Sequence, residues 1–258
     1  MDPTERPMQQ ASRVLRRRLD LFEAIEEDAK AALLGISGDI VEVAKGERIR
    51  TQGGPAEEFW CVVDGWFHSS GTLASGGRQV YAFHLPGDVM GLQDLGWEVA
   101  VCDVAAATKG AIIRMEKRAF RAVISEHPVL AGFFLTFGIY DHTRLIDQLR
   151  VVGRMSAVKR VAHLLLQLAD EQTEPDALTP ANDDERVMLL PIDQSLIGDA
   201  VGLTNISVSR MMSELEEQGY LRRSGKRVRL LKVTEMKAMC EYTERRRSVP
   251  LSWLLQRH

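Results

Sequence analysis

Cysteine is scarce in this sequence, which has 3 cysteines in 258 residues. Cys61, Cys102 and Cys240 are far apart, and no Cys-x-x-Cys or Cys/His spacing of a metal site occurs. We therefore expect neither a structural zinc nor an iron–sulfur cluster, and we assign no metal ligands and no cofactor. Cys61 and Cys102 lie in apolar segments, which favours buried, unreactive thiols over redox sensors.

Long apolar runs are also absent. No run of about 18 apolar residues exists, so we expect no membrane partner, and the first residues lack the apolar core of a signal peptide. Together with the few cysteines, this predicts a cytoplasmic protein. The sequence contains no Ser-His-Asp arrangement, HExxH, P-loop or glycine-rich nucleotide fingerprint. An enzyme is therefore not expected, and no catalytic residue is assigned.

Net positive charge is missing as well, since the formal net charge is −3. The charges are nevertheless unevenly distributed. Residues 191–258 contain 12 Lys and Arg against 8 Asp and Glu, whereas the remainder contains 21 against 28. An acidic larger part and a basic C-terminal part are typical of a sensor joined to a nucleic-acid-binding domain.

The segment 194–210 has the pattern of a helix-turn-helix. Apolar residues in its first half have the spacing of a buried helix face, and Gly202 falls where that helix must stop. Thr204 or Asn205 can cap a second helix, whose inner face we expect to consist of Val208, Met211, Met212 and Leu215. The second helix of such a motif enters the DNA major groove; an ordinary helical hairpin inside a core is the alternative. The residues predicted to bind DNA here are Thr204, Asn205, Ile206, Ser207, Ser209 and Arg210.

A basic hairpin is predicted after this second helix. Two short alternating segments flank Ser224 and Gly225, which form a hairpin turn signal, and the whole is typical of a winged helix. Arg223, Lys226 and Arg227 are expected to contact the DNA backbone, which supplies affinity rather than sequence choice. For any single one of them, a solvated strand face is the alternative.

Short apolar segments separated by Gly, Pro and Asp fill residues 39–115 and predict an antiparallel roll or barrel. A long helix then runs from Pro128 to about Gly153, a shorter one follows, and acidic, Pro- and Thr-containing residues 171–187 are expected to form a loop. The predicted fold class is α+β, with an N-terminal antiparallel β-roll of the cupin-like jelly-roll type, a long dimerisation helix and a C-terminal winged helix-turn-helix domain. The expected parts are an N-terminal extension (1–19), the roll as sensor domain (20–127), the dimerisation helix (128–153), the DNA-binding domain (154–235) and a C-terminal extension (236–258).

The long helix carries more apolar positions than the roll can cover, which indicates a dimer seam. The alternative is that this helix packs only on its own roll. The residues assigned to the dimer interface are Phe134, Phe137, Leu145 and Leu149.

The order of these parts resembles the Crp/Fnr family of bacterial transcription regulators. The resemblance is carried by residues 62–66 (VVDGW), 85–92 (LPGDVMGL), 197–204 (IGDAVGLT) and 208–210 (VSR). It implies a homodimer that binds double-stranded DNA at a two-fold symmetric promoter site and contacts RNA polymerase. It also implies an effector pocket between the roll and the long helix, which here corresponds to Gly91, Leu92, Ala100, Val101, Leu145 and Ile146.

This sequence departs from the pattern of the cyclic-nucleotide-binding members. They carry a Glu and an Arg-Ser pair that grip the ribose and the cyclic phosphate, and these positions correspond to Leu92 and to Ala100-Val101. An apolar pocket would leave a buried phosphate unpaired, so dependence on cyclic AMP is not expected. Many members also have a base-reading Glu in the recognition helix where this sequence has Ile206, whereas Ser209 and Arg210 match base- and phosphate-contacting positions.

Other functions remain as alternatives. The roll could sense an apolar small molecule or haem, the latter through a histidine such as His84 or His142, and change DNA affinity. The winged helix could instead serve as a protein-interaction module, a hypothesis that Arg210 and the basic hairpin disfavour. Neither the effector nor the choice between activation and repression follows from the sequence.

Overall fold

The computed structural model describes Leu19 and residues 25–172 and 184–244. These residues belong to two compact units, one containing residues 25–73 and 81–142, the other residues 74–80, 143–172 and 184–244. Much of the predicted N-terminal extension and residues 245–258 of the predicted C-terminal extension lie outside the described residues. Within the described part, no helix is both long and apolar enough to span a bilayer.

The first unit is an antiparallel roll, as predicted. Helix α1 (Glu27–Gly35) precedes eight strands: β1 (Ile40–Val43), β2 (Arg48–Arg50), β3 (Glu58–Asp64), β4 (Phe67–Thr72), β5 (Arg78–His84), β6 (Val89–Met90), β7 (Asp103–Ala106) and β8 (Gly110–Glu116). The first three residues of β5 are grouped with the second unit. A 3-10 helix (Leu92–Asp94) separates β6 from β7, and α2 (Lys117–Glu126) follows β8. The strands form two four-stranded sheets, in the orders β1-β8-β3-β6 and β2-β7-β4-β5.

Strand β3 lies at the centre of the roll and is buried on both faces. Successive side chains of a strand point to opposite sides, and β3 supplies two different apolar clusters in this way. Phe59, Cys61 and Val63 belong to one cluster, whereas Trp60 and Val62 belong to the other. The near-continuous apolar run of this segment is therefore explained by burial between two layers.

Helix α3 (Pro128–Arg154) is the long helix. Its first residue is Pro128, which is favoured there because proline lacks only an N–H that the first turn would leave unpaired. Phe134 is 5% exposed and packs against Phe59 and Phe120, with ring centroids 5.8 and 4.6 Å apart. The prediction that Phe134 faces a partner subunit is therefore corrected: its side chain completes the core of the roll. Phe137 is half-buried against the same cluster.

The second unit contains four further helices and a three-stranded sheet. Its elements are α4 (Ala157–Gln172), β9 (Arg186–Leu189), α5 (Gln194–Val201), α6 (Asn205–Glu217), β10 (Leu221–Ser224), β11 (Arg227–Leu230) and α7 (Val233–Met239). The strand order is β10-β11-β9. The expected loop over 171–187 is wrong at both ends, because α4 continues to Gln172 and β9 begins at Arg186; residues 173–183 lie outside the described part.

All three cysteines are buried, as predicted for Cys61 and Cys102. Burial raises the pKa of the Cys102 thiol and raises the pKa of Cys240 to about 11. A thiol with a raised pKa is a poor nucleophile at neutral pH, which agrees with the expectation of unreactive side chains.

Candidate nucleic-acid interface

A sharp corner joins α5 to α6. Helix α5 begins at Asp193, whose carboxylate accepts a hydrogen bond from the Leu196 N–H at 2.9 Å, and ends at Gly202, whose φ of 67° is left-handed. A Cβ on Gly198 would lie 2.4 Å from the Leu203 carbonyl oxygen. Only glycine at position 198 lets the chain return so closely over α5, a requirement that depends on the folded turn and was not predicted from the sequence.

The start of α6 is built by side chains that were predicted to bind DNA. The hydroxyl of Thr204 accepts from the Ser207 N–H at 3.2 Å and lies 2.9 Å from the Ser207 hydroxyl. The Asn205 side chain accepts from the Ile206 N–H at 2.8 Å. Thr204 is therefore the N-cap. Three of the residues predicted to contact DNA, Thr204, Asn205 and Ser207, already make hydrogen bonds at the start of their own helix.

The two faces of α6 differ as predicted. Val208, Met211, Met212 and Leu215 are all buried, and α6 packs against α4 and α5. The opposite face presents Ile206, which is 78% exposed, and the exposed side chain of Arg210, with Ser209 half-buried between them. This face of α6 is therefore exposed to solvent at Ile206 and Arg210.

The predicted hairpin after α6 is present. Strands β10 and β11 pair antiparallel from Leu221–Leu230 to Ser224–Arg227, which leaves Gly225 and Lys226 as a two-residue loop. Strand β9 adds to the other side of β11. Strand β9 was not predicted, because its segment adjoins a polar, acidic stretch that resembles a loop.

The basic residues of this hairpin, here called the wing, are not equivalent. Arg223 donates from Nε and Nη2 to Oε2 of Glu216 in α6, at 2.9 and 2.6 Å, and its backbone N–H donates to Oε1 at 3.1 Å. These hydrogen bonds lower the pKa of the Glu216 carboxyl. The guanidinium of Arg223 is thus held by the recognition helix, whereas Lys226 and Arg227 are exposed and make no ion pair within the described ranges.

Two family models match this chain. A Crp-like helix-turn-helix domain matches residues 159–239, and a cyclic nucleotide-binding domain matches residues 40–127. The chain belongs to the Crp/Fnr family. It is 29% identical over 184 residues to the nitrogen fixation regulation protein FixK of Bradyrhizobium diazoefficiens, across 71% of this chain and 74% of that protein.

Other Crp/Fnr proteins support the assignment. The transcriptional regulatory protein btr of Bordetella pertussis is 26% identical over 199 residues, across 77% of this chain and 80% of that protein. The structure of FixK2 from Bradyrhizobium japonicum superposes with a TM-score of 0.71 and 26% identity, across 82% of this chain and all of that chain. This Crp/Fnr protein is a DNA-binding transcription regulator.

The predicted effector positions of this Crp/Fnr regulator have different environments. In the roll, Gly91 and Ala100 are buried, Leu92 is half-buried and Val101 is exposed. On α3, Leu145 and Ile146 are both exposed. No cyclic-phosphate-pairing side chain stands at positions 92, 100 or 101, as the sequence indicated.

A buried charged pair nevertheless lies next to these positions. Arg50, from strand β2, forms an ion pair with Asp94 at 2.6 Å, and both side chains are buried. The two residues are 44 positions apart, so no local pattern in the sequence could have revealed the pair.

Proposed function

We propose that this regulator binds a two-fold symmetric promoter site as a homodimer, with the α6 helix of each subunit in the major groove of one half-site. The observation that carries the proposal is the exposed face of α6 beside unpaired wing cations. Ile206 and Arg210 project from α6, and the Glu216–Arg223 pair attaches the wing to the same helix. Half-site centres are then about 34 Å apart, one turn of DNA.

The exposed side chains of α6 define what each half-site should contain. Arg210 can pair bidentately with guanine, and Ile206 can contact the methyl group of thymine. An isoleucine cannot accept a hydrogen bond from cytosine, so the preferred operator should differ from half-sites of the TGTGA or TTGAT type. Selection of bound sequences from random DNA tests this: recovery of either usual half-site would contradict it.

The base-reading role of Arg210 has its own test. Arg210→Ala should abolish the preference for the selected operator over random duplex DNA, because the guanidinium is the side chain on this face that can discriminate guanine. Arg121→Ala, which removes an exposed arginine on α2 of the roll, is the matched control and should bind normally. Equal losses on operator and random DNA for Arg210→Ala would show that Arg210 contacts only phosphate.

The homodimer is proposed from the exposed side of α3. Leu135, Ile139, His142, Ile146 and Leu149 are exposed and follow one another at intervals of four, three, four and three residues. This is the heptad spacing of a two-stranded coiled coil, and it extends over about 21 Å of helix. Of the residues assigned to the interface from sequence, Leu149 lies in this seam and Leu145 beside it.

Leu149 offers a direct test of the seam because it is 78% exposed in the single chain. Leu149→Asp should convert the dimer to a monomer in light scattering coupled to size-exclusion chromatography, since a carboxylate would be buried without a partner. Leu73 lies outside α3 and is 69% exposed, so Leu73→Asp should leave the dimer intact. A monomeric wild type, or a dimeric Leu149→Asp variant, would contradict the proposed seam.

We also infer that DNA binding does not depend on cyclic AMP. Leu92, Ala100 and Val101 offer no cation for a cyclic phosphate. Operator affinity should therefore be the same with and without cyclic AMP, and native mass spectrometry with an absorbance scan should find neither a bound nucleotide nor a haem band. RNA polymerase as a further partner and a cytoplasmic location, where bacterial promoters are found, follow from the regulatory role.

A further inference from the structure

A buried ion pair connects strand β2 to the 3-10 helix of the roll. Nη1 of Arg50 lies 2.6 Å from Oδ2 of Asp94, and the two side chains are 3% and 0% exposed. Removing two charges from water is costly and is tolerated only when further hydrogen bonds satisfy both groups. Both charged groups should therefore have further hydrogen-bond partners.

The guanidinium of Arg50 is held by groups other than Asp94. Its Nη2 donates to the backbone carbonyl of Glu58, and its centre lies 4.4 Å from the ring centroid of Trp60. Stacking on an aromatic face and a carbonyl acceptor fix a guanidinium in place. Arg50 would thus remain poised in this position if the carboxylate were absent.

Two further donors surround Asp94. Its Oδ1 accepts from the backbone N–H of Val101 at 3.0 Å. The ammonium of Lys117 donates to the backbone carbonyls of Asp94 and Trp97, and burial together with the nearby Arg50 charge lowers the pKa of Lys117. The carboxylate of Asp94 therefore accepts from one guanidinium and one backbone N–H, and a second cation binds the backbone carbonyl of the same residue.

Such a set of donors is what proteins use to bind a small oxyanion. A fixed guanidinium pairs with a carboxylate or a phosphate, and a free backbone N–H adds a directional hydrogen bond. Here the chain supplies the anion itself, from the 3-10 helix.

We propose that the roll contains an oxyanion-binding site formed by Arg50 and the Val101 N–H, and that the Asp94 carboxylate is its built-in ligand. Asp94 holds the segment from the 3-10 helix to Val101 against β2 without any added molecule. A chain that lacks this carboxylate should bind a small carboxylate or phosphate in its place. The proposal concerns the roll alone and does not depend on how the protein binds DNA.

Chemical rescue of the full-length Asp94→Ala variant tests the proposal. This variant should unfold at lower temperature than the wild type in chloride, because it leaves Arg50 buried without its counter-ion. Formate, acetate or inorganic phosphate at constant ionic strength should restore stability in a saturable way. At ten times the dissociation constant, the ratio of folded to unfolded protein should rise about 11-fold.

Three controls isolate the site. Arg50→Met/Asp94→Ala lacks the guanidinium and should show no anion response beyond that of the wild type. Asp94→Asn loses the same charge but still fills the space, so it should be destabilised and not rescued. Asp103→Ala removes another buried carboxylate of the roll, which accepts from the Gln52 N–H at 2.9 Å, and should not be rescued either.

The outcomes are decisive in either direction. If the anions stabilise Asp94→Ala and none of the controls, the built-in ligand is supported. If they stabilise Asp94→Ala no more than Arg50→Met/Asp94→Ala, the proposal is overturned. If Asp94→Ala does not fold in chloride, it should refold from urea into formate or phosphate, and failure to refold in both anions also overturns the proposal.

Discussion

Two of the wing cations, Lys226 and Arg223, should contribute differently to the salt dependence of DNA binding. Lys226 occupies the two-residue loop at the wing tip, is exposed and makes no ion pair in the part of the chain that the structure describes. If its ammonium contacts a phosphate, Lys226→Ala removes one such contact per subunit. Each contact contributes about 0.9 to the slope of log K against log salt, so the slope of a dimer should fall by about 1.8.

This change in slope is large enough to measure by fluorescence anisotropy with a labelled operator. Between 50 and 200 mM salt, a slope difference of about 1.8 corresponds to about a 12-fold smaller loss of affinity for Lys226→Ala than for the wild type. The effect should be the same on random duplex DNA, because phosphate contacts do not depend on sequence.

Arg223→Ala is the matched comparison. The guanidinium of Arg223 is already paired with Glu216 at 2.6 Å and must leave that carboxylate to reach a phosphate. Its removal should therefore change the slope by clearly less than the removal of Lys226. A wild-type slope for Lys226→Ala, or equal slopes for the two variants, would refute the reasoning from ion pairing.

Three further predictions concern the fold and the operator. Gly198→Ala should destabilise the protein by about 1–3 kcal/mol in urea unfolding, because its Cβ would lie 2.4 Å from the Leu203 carbonyl oxygen, a form of overpacking; Gly153→Ala, with nothing within 4 Å of the new Cβ, should not. Burial lowers the pKa of His163 to about 4, so the folded state favours the neutral ring and the unfolded chain binds the proton more tightly. The free energy of unfolding should therefore keep its full value above pH 6.5 and fall as the pH falls towards 4, by about 2.5 kcal/mol at pH 4.5. Unfolding of His163→Phe at pH 7 and 4.5 should lack that part of the pH dependence, and an unchanged dependence would contradict it. Ile206→Ala should leave the melting temperature unchanged, since Ile206 is 78% exposed, but should relax base preference at one operator position in repeated selection.

The helix-turn-helix could be predicted from sequence because its determinants are local. The inner face of α6 follows the helical period, as Val208 and Leu215 illustrate, and the N-cap at Thr204 is a side-chain interaction within four residues. The same holds for Pro128 at the start of α3 and for strand β1, whose bounds agree with the apolar segment at 40–43.

Strand β4 could not be predicted because three of its buried residues, His68, Ser69 and Ser70, are polar. Five of its six positions, Phe67 to Gly71, are buried, although the sequence there resembles a turn. Ser69 is buried through a hydrogen bond to His84 in β5, with 2.8 Å between Oγ and Nε2. A polar side chain satisfied by a distant strand is indistinguishable from a solvated one in the sequence alone.

The environments of Phe134 and Arg223 depend on contacts with other elements. Helical spacing placed Phe134 on an apolar stripe of α3, but it could not tell which stripe faces the roll. The hairpin pattern likewise placed Arg223 in a basic cluster, but the carboxylate that holds it lies seven residues earlier, in another element. The charge of a segment in the sequence therefore does not show which of its cations are already paired. The ion pairs of the folded chain do.

The N-cap of α6 limits how much sequence information one subunit can read. Thr204, Asn205 and Ser207 are hydrogen-bonded to each other or to backbone N–H groups, so we expect them to contribute little to base reading. In the complex with DNA that we propose, Ile206, Ser209 and Arg210 would distinguish bases, and each such side chain addresses roughly one base pair. We therefore expect short, degenerate half-sites, many copies of them in a genome, and a regulon whose breadth is set by the concentration of the protein.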